Sequence, residues 1–336
     1  MLSRIAANCL WLARYLERAE NTARLIGVAQ WRSLLPEYHG GDPAPWRWLM
    51  HAAADPVTWP LVPERDPGAA VIALLIHDRE HASSLWSCLR SVRENARTAR
   101  FALTTATWEA TNTTWIEARA LDHEMVAARG VEDVLAWTTG RCQWIRGAIE
   151  DLLDGDTARI LAVGRALERF DATARTLGLL LPEAVADGDA ARVLGTPAHR
   201  RWEALLGAGG VQDWFRHLGG EIGDLGATVR MIALDPRQQR SLASCARKLD
   251  GCLTELAAGR TTDASIQSVA LSREVGALDA ATLIAQPELL TALVNAGDRL
   301  SQAVAVDHFG QQAAPLFGTQ VQGSAQTQSQ TQSSQP

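Results

Sequence analysis

One stretch of the chain occurs twice, and the residues kept in both copies are mostly charged. Residues 10–27 read LWLARYLERAENTARLIG, and residues 161–178 read LAVGRALERFDATARTLG. At a constant offset of 151, Arg14 aligns with Arg165, Glu17 with Glu168, Arg18 with Arg169 and Arg24 with Arg175. Two copies of a core helix would ordinarily keep their apolar pattern and let polar positions drift. Here arginines and acids are retained, so the activity of the chain is expected to run through them.

The repetition extends beyond this helix. Leu34-Leu35-Pro36-Glu37 recurs as Leu180-Leu181-Pro182-Glu183, and Arg47-Trp48 as Arg201-Trp202. Asp78 followed by Ser84-Leu85-Trp86-Ser87-Cys88-Leu89-Arg90 recurs as Asp235 followed by Ser241-Leu242-Ala243-Ser244-Cys245-Ala246-Arg247. The order is the same and the spacing drifts by only a few residues. The period far exceeds the ~20–50 residues of solenoid repeats, so each copy is a sizeable unit. Repeats over about 1–105 and 155–260, sharing one core, are expected within a domain spanning 1–310.

The long segments carry apolar residues three and four apart and are rich in Ala, Leu, Arg and Glu, which predicts helices. Helices are expected over about 3–33, 69–102, 104–128, 131–153, 157–180, 198–206, 211–234, 238–258, 264–284 and 287–308. Strand signals are nearly absent. The fold class that follows is all-α: an internally duplicated helical bundle. Asp235-Pro236 and Gln286-Pro287 mark helix breaks. Residues 36–68, with seven prolines and Trp46, Trp48 and Trp59, read as a long non-helical loop. Its tryptophans either pin it to the bundle or offer a partner surface. From Gln311 to Pro336 the Gln/Ser/Thr-rich chain lacks apolar periodicity and is expected to be disordered.

With 47% hydrophobic residues the chain can bury a core, and a net charge of −6 argues against a nucleic-acid binder. Lys248 is the only lysine, which speaks against a Schiff-base mechanism. The N-terminus opens the repeated helix instead of an apolar leader, and no stretch reaches the ~18 apolar residues of a membrane span. Five cysteines without a CxxC pair suit a reducing cytoplasm. Cys88 and Cys245, though repeated, read as small buried residues.

On a helical wheel Leu12, Leu16, Ala19, Ala23 and Ile26 gather on one side. Arg14, Glu17, Arg18, Asn21 and Arg24 gather on the other. The second copy reproduces this stripe with Arg165, Glu168, Arg169 and Arg175; Asp171 stands for Glu20, and Ala172 replaces Asn21. Two readings remain open. The stripe forms ion pairs within or between helices, or its guanidinium forks recognise carboxylate or phosphate. Another charged cluster, on a helix of the first half, contains Arg93, Glu94, Asn95 and Arg97, and reads either as a solvated face or as part of the same recognition surface.

Independent catalytic signatures are weak. His77 and His81 stand four apart, a spacing that can hold a metal on a helical face, but the second copy has no histidine there. Walker, dinucleotide-binding and GxSxG motifs are missing. Neither a metal nor a cofactor is expected.

SRxAxNxxWLxRYxERAENTAR at the N-terminus, Val92-Arg93-Glu94-Asn95-Ala96-Arg97, Trp108-Glu109-x-x-Asn112, Gly164-Arg165-x-Leu167-Glu168-Arg169 and Asp235-Pro236-x-x-x-Arg240-Ser241 follow one another in order. Together they resemble the bacterial alpha-E domain family. The chain departs from that family's pattern at Ala158, Ile160 and Phe170, and in Asp78-Arg79-Glu80-His81. The resemblance implies an all-helical protein associated with a circularly permuted ATP-grasp protein and with transglutaminase-like proteins. It assigns no catalytic residue. The function expected on this basis is an accessory subunit that binds an ATP-grasp-type amide or peptide ligase and helps present its substrate. In that reading Arg14, Arg18, Arg24, Arg165, Arg169 and Arg175 contact carboxylates or phosphates, and Glu17 and Glu168 orient them. An enzyme of peptide or amide metabolism using the same cluster, and a scaffold with the charges as internal glue, are the alternatives.

Overall fold

The computed structural model describes residues 3–38, 41–53, 62–63, 65–151 and 155–309. The described residues are helical, with no strand among them. Two long helices form the axis of the fold. Helix α1 spans Ser3–Ser33, and its repeat mate spans Asp156–Asp187. Between them lie α2 (Ala44–Ala52), α3 (Pro67–Ile76), α4 (Leu85–Thr98), α5 (Thr105–Ala118), α6 (His123–Arg129) and α7 (Val131–Glu150), so that the second long helix is α8. After it follow α9 (Pro197–Gly209), α10 (Gln212–His217), α11 (Leu225–Val229), α12 (Leu242–Ala257), α13 (Asp263–Gly276), α14 (Ala280–Ala285) and α15 (Leu289–Phe309).

Helices α1 and α8 pack on each other, α4 lies along α1, and α12 lies along α8. Two equivalent helix pairs therefore meet at the α1–α8 crossing. The crossing is close because Gly164 of α8 stands where α1 has Ala13. A Cβ on Gly164 would lie 2.4 Å from the Leu10 carbonyl oxygen and 3.2 Å from the Ala13 Cβ. Leu10, Leu12, Ile26, Val163 and Leu177 are buried in one contiguous core shared by both halves.

The repeated strings adopt the same local structure. Ser84 and Ser241 cap α4 and α12, each accepting a 3.0 Å bond from the backbone N–H three residues on. Each hydroxyl also donates back to the carbonyl of the repeated aspartate, Asp78 at 2.5 Å and Asp235 at 2.6 Å. The Cys88 and Cys245 thiols sit 3.7 Å from the Ala82 and Gln239 carbonyls. Both thiols are buried, as their small-residue context suggested, and burial pushes each up to about 12.

Several boundaries differ from the sequence expectation, for local reasons. The helix expected over 69–102 breaks at 77–84, because the Asp78 carboxylate takes the backbone N–H groups of Glu80 and His81 into a turn. His77 and His81 thus flank a turn and do not share a helical face. The helix expected over 104–128 divides at residue 118, and α6 restarts with Asp122 as its cap. Within the segment 36–68 read as a loop, α2 forms and buries Trp46 and Trp48; Trp59 lies outside the described residues, as does the tail from 310.

The repeated Leu-Leu-Pro-Glu string takes two conformations. In the first copy α1 stops before it, with Leu34 71% exposed. In the second, α8 runs through Pro182 to Asp187, with Leu180 and Leu181 buried. Burial of two leucines offsets a proline that would otherwise cost about 3 kcal/mol inside a helix. No helix of the described residues is long and apolar enough to cross a membrane.

Candidate functional site

The charged stripes of α1 and α8 face each other across the crossing and exchange partners. Glu17 of α1 accepts two hydrogen bonds from Arg169 of α8, both 2.8 Å. Reciprocally, Glu168 of α8 accepts from Arg18 of α1 at 2.5 and 3.1 Å, and from Arg14 at 2.8 Å. Since residues 17 and 168 are repeat mates, as are 18 and 169, one contact is the image of the other. All four side chains are at least largely removed from solvent.

Each node holds one guanidinium more than it has carboxylates, but the two are built differently. At Glu168, two guanidiniums serve one carboxylate, and Arg14 also donates to the Ser301 hydroxyl at 2.8 Å. The Glu17 node recruits more. Arg146 of α7 approaches Glu17 at 3.2 Å and pairs with Glu20. Arg240, just ahead of α12, lies 3.5 Å from Glu17 and 3.0 Å from Glu20. Burial would raise the Glu17 carboxyl, but Arg169, Arg240 and Arg146 outweigh it and hold it at about 2. Glu168 is likewise held at about 2 against burial, by Arg18 and Arg14.

The cations report the difference. Arg18 is raised above the usual arginine range because Glu168 overcomes its burial. Arg146 and Arg240 are lowered, by burial and by repulsion from Arg169, which Glu17 does not overcome. The Glu17 side of the crossing holds more positive charge than its own carboxylates neutralise.

That surplus borders open space. A recess of about 220 Å³ is walled by Ala13, Leu16, Ile149, Ala158, Leu161 and Ala162, with Glu17 and Arg146 among its polar groups. It adjoins a second recess of about 430 Å³ that runs along α8 and α12. Glu150, Ala162, Arg165 and Lys248 belong to both walls. Arg169 and Arg247 complete the cations, so five basic groups line the two recesses against two carboxylates, Glu17 and Glu150.

The first half has the equivalent groove, about 390 Å³ between α1 and α4, but with different walls. There Trp11 and Tyr15 stand where the second half has Ala162 and Ala166. The Arg14 guanidinium lies 5.0 Å from the Trp11 ring, and that of Arg18 5.4 Å from the Tyr15 ring. Aromatic rings thus cover the arginines of the first half, and neither arginine lines its groove. With alanines at those positions, Arg165 and Arg169 do line theirs.

A family model described as a predicted alpha-helical domain with a conserved ER motif, Alpha-E, matches residues 1–309. The chain belongs to the Alpha-E family. No curated protein and no solved structure matches it. Two Glu-Arg dipeptides of this Alpha-E chain, the repeat mates Glu17-Arg18 and Glu168-Arg169, supply the four residues that exchange partners at the helix crossing.

Other residues singled out in the Alpha-E sequence fall into separate places. Asn21 accepts from Arg24, which also donates to the Ala208 carbonyl at the end of α9, at 3.1 Å. Asp171 pairs with Arg175 on α8 itself, at 2.8 and 2.9 Å, and Arg175 lies 3.8 Å from Asp298. Arg93 and Arg97 pair with Glu94 on α4, and Asn95 donates to the Ser91 carbonyl. Glu94 and Asn95 line the first-half groove. The candidate residues therefore divide between the crossing, the second-half cleft and local helical pairs.

Sequence reasoning missed Arg146, Arg240, Arg247, Lys248 and Glu150. Arg146 and Glu150 sit in the α7 segment, which the repeat does not include. Two signals pointed at the others: Arg240 lies inside the repeated Asp235–Ser241 string, and Lys248 is the only lysine in the chain. Among the described residues no group of three or more His, Cys, Asp or Glu side chains could hold a metal ion.

Proposed function

We propose that this Alpha-E chain is a non-catalytic subunit that takes up a carboxylate-bearing amino acid or peptide in the second-half cleft. It presents that ligand to an ATP-grasp-type amide ligase. The observation that carries the ligand half of this reading is the exposure of Arg165 to the cleft where its mate Arg14 is covered by Trp11. Guanidinium forks pair with carboxylates in bidentate geometry, and surplus positive charge in a partly desolvated groove favours an anion. The ligase half rests on the family resemblance, which places an ATP-grasp protein beside such chains, with a transglutaminase-like protein as a further associate. A cytoplasmic setting accords with five buried, unpaired cysteines.

The alternative of an enzyme using the stripe is less well supported. A general acid or base works best with a pKa near the operating pH. Glu17 and Glu168, held at about 2 and saturated with guanidinium donors, are fixed as carboxylates instead.

The test is amide formation by a circularly permuted ATP-grasp protein from the same source, measured with and without this chain, alongside co-purification of the two. Wild type should bind the ligase and raise its amide yield. Ala162→Trp with Ala166→Tyr, which copies the first-half walls, should still bind the ligase yet lose the enhancement. A wild-type chain that neither binds nor changes the yield would sink the proposal.

A further inference from the structure

We infer that the ligand of the cleft is a zwitterionic α-amino acid with an apolar side chain: its carboxylate on Arg165, its ammonium on Glu150, its side chain in the apolar recess. This rests on the reading of the cleft as a carboxylate site, and narrows it.

Three observations on this chain support the inference. First, Arg165 and Glu150 face each other at 2.9 Å on the wall that both recesses share. Glu150 is 59% exposed and Arg165 25%, so each keeps hydrogen-bonding capacity toward the opening. An α-amino acid carries opposite charges on one carbon, and a guanidinium beside a carboxylate presents the complementary pair. Binding exchanges one exposed ion pair, of little net worth in water, for two that the ligand partly desolvates.

Second, the smaller recess opening next to this pair is apolar over most of its wall, with Leu16, Ile149 and Leu161 facing it. It offers a side chain a place to bury apolar surface at ~25 cal/mol per Å². Third, Glu17 also lines this recess and is kept ionised by the guanidiniums around it. Together with Glu150 it disfavours a phosphate dianion lying across the opening. The first half has no such arrangement, since Arg14 is committed to Glu168 and Ser301.

The deciding experiment is calorimetric titration of the full chain with L-leucine, 4-methylpentanoate (no ammonium), leucinamide (no carboxylate) and inorganic phosphate. Leucine should bind at least about tenfold more tightly than either organic analogue, the loss expected when a charge-assisted hydrogen bond is removed. Glu150→Gln should weaken leucine by a similar factor and leave 4-methylpentanoate unchanged. Ala162→Trp should abolish leucine binding, with circular dichroism melts of both variants confirming folded protein.

Equal affinity for leucine and 4-methylpentanoate would overturn the zwitterion inference while leaving the carboxylate reading intact. Binding of phosphate in preference to leucine would overturn both, and no binding of any of the four would overturn the inference. Undiminished leucine binding by a folded Ala162→Trp variant would place the ligand outside the cleft and overturn the inference by itself.

Discussion

Arg169 and Glu17 meet through two parallel 2.8 Å hydrogen bonds between different long helices, and their repeat mates Arg18 and Glu168 meet in the same way. A buried bidentate pair of this kind tolerates loss of one partner poorly, because the remaining charge stays buried.

Neutralising the carboxylates therefore probes the balance of the two nodes. Glu168→Gln strands Arg14 and Arg18 and is expected to cost about 3–5 kcal/mol. Glu17→Gln strands Arg169, whose side chain is 6% exposed against 12% and 25% for Arg14 and Arg18, so it should cost more than Glu168→Gln. Urea unfolding of the two variants checks the order; a less damaging Glu17→Gln would contradict the deeper burial of the Glu17–Arg169 pair as the deciding term.

Acid stability follows from the same carboxylates. Both have folded pKa values near 2, below the ordinary value of 4.5. A depressed carboxylate contributes stability that is complete above the unfolded pKa and is lost as pH falls through the folded one. The loss is thus expected between pH 4.5 and 2, on the order of 3 kcal/mol per carboxylate. Denaturant midpoints measured from pH 6 to pH 2.5 should fall steeply below 4.5, and Glu168→Gln should flatten that fall.

Two glycine substitutions should have opposite signs. Gly164→Ala places a methyl 2.4 Å from the Leu10 carbonyl at the helix crossing and should destabilise by about 1–3 kcal/mol. Gly140→Ala, in α7 with no atom beyond its own stretch of helix within 4 Å of the added carbon, should stabilise by about 0.5–1 kcal/mol. Thermal melts of the pair measure the closeness of the α1–α8 crossing directly.

The repeated caps give a matched pair. Ser84→Ala and Ser241→Ala each remove an acceptor for an N-terminal N–H and a donor to the aspartate carbonyl, so each should cost about 1–2 kcal/mol. Similar losses would show that the two loops act alike; a loss confined to Ser241 would tie that turn to the neighbouring Arg240.

Much of this protein was legible in the amino-acid order. Helical periodicity determined the secondary structure class, because 3.6-residue spacing of Leu and Ala is a local property that survives without tertiary information. The repeat register located Glu17-Arg18 and Glu168-Arg169 and marked them as a matched set. Their partners lay beyond its reach: on a helical wheel Glu17 could as well pair with a neighbour on α1, and only the crossing at Gly164 brings Arg169 to it. Arg146 came from a helix outside the repeat, and contacts between segments far apart in sequence leave no periodic trace. The same Leu-Leu-Pro-Glu string ends one helix and continues another, since burial of Leu180 and Leu181 is decided by what packs beside them. The cleft is likewise a tertiary outcome. Alanine at 162 and 166 reads as ordinary helix former in sequence, and becomes an opening only where α7, α8 and α12 converge around arginines that no ring among the described residues covers.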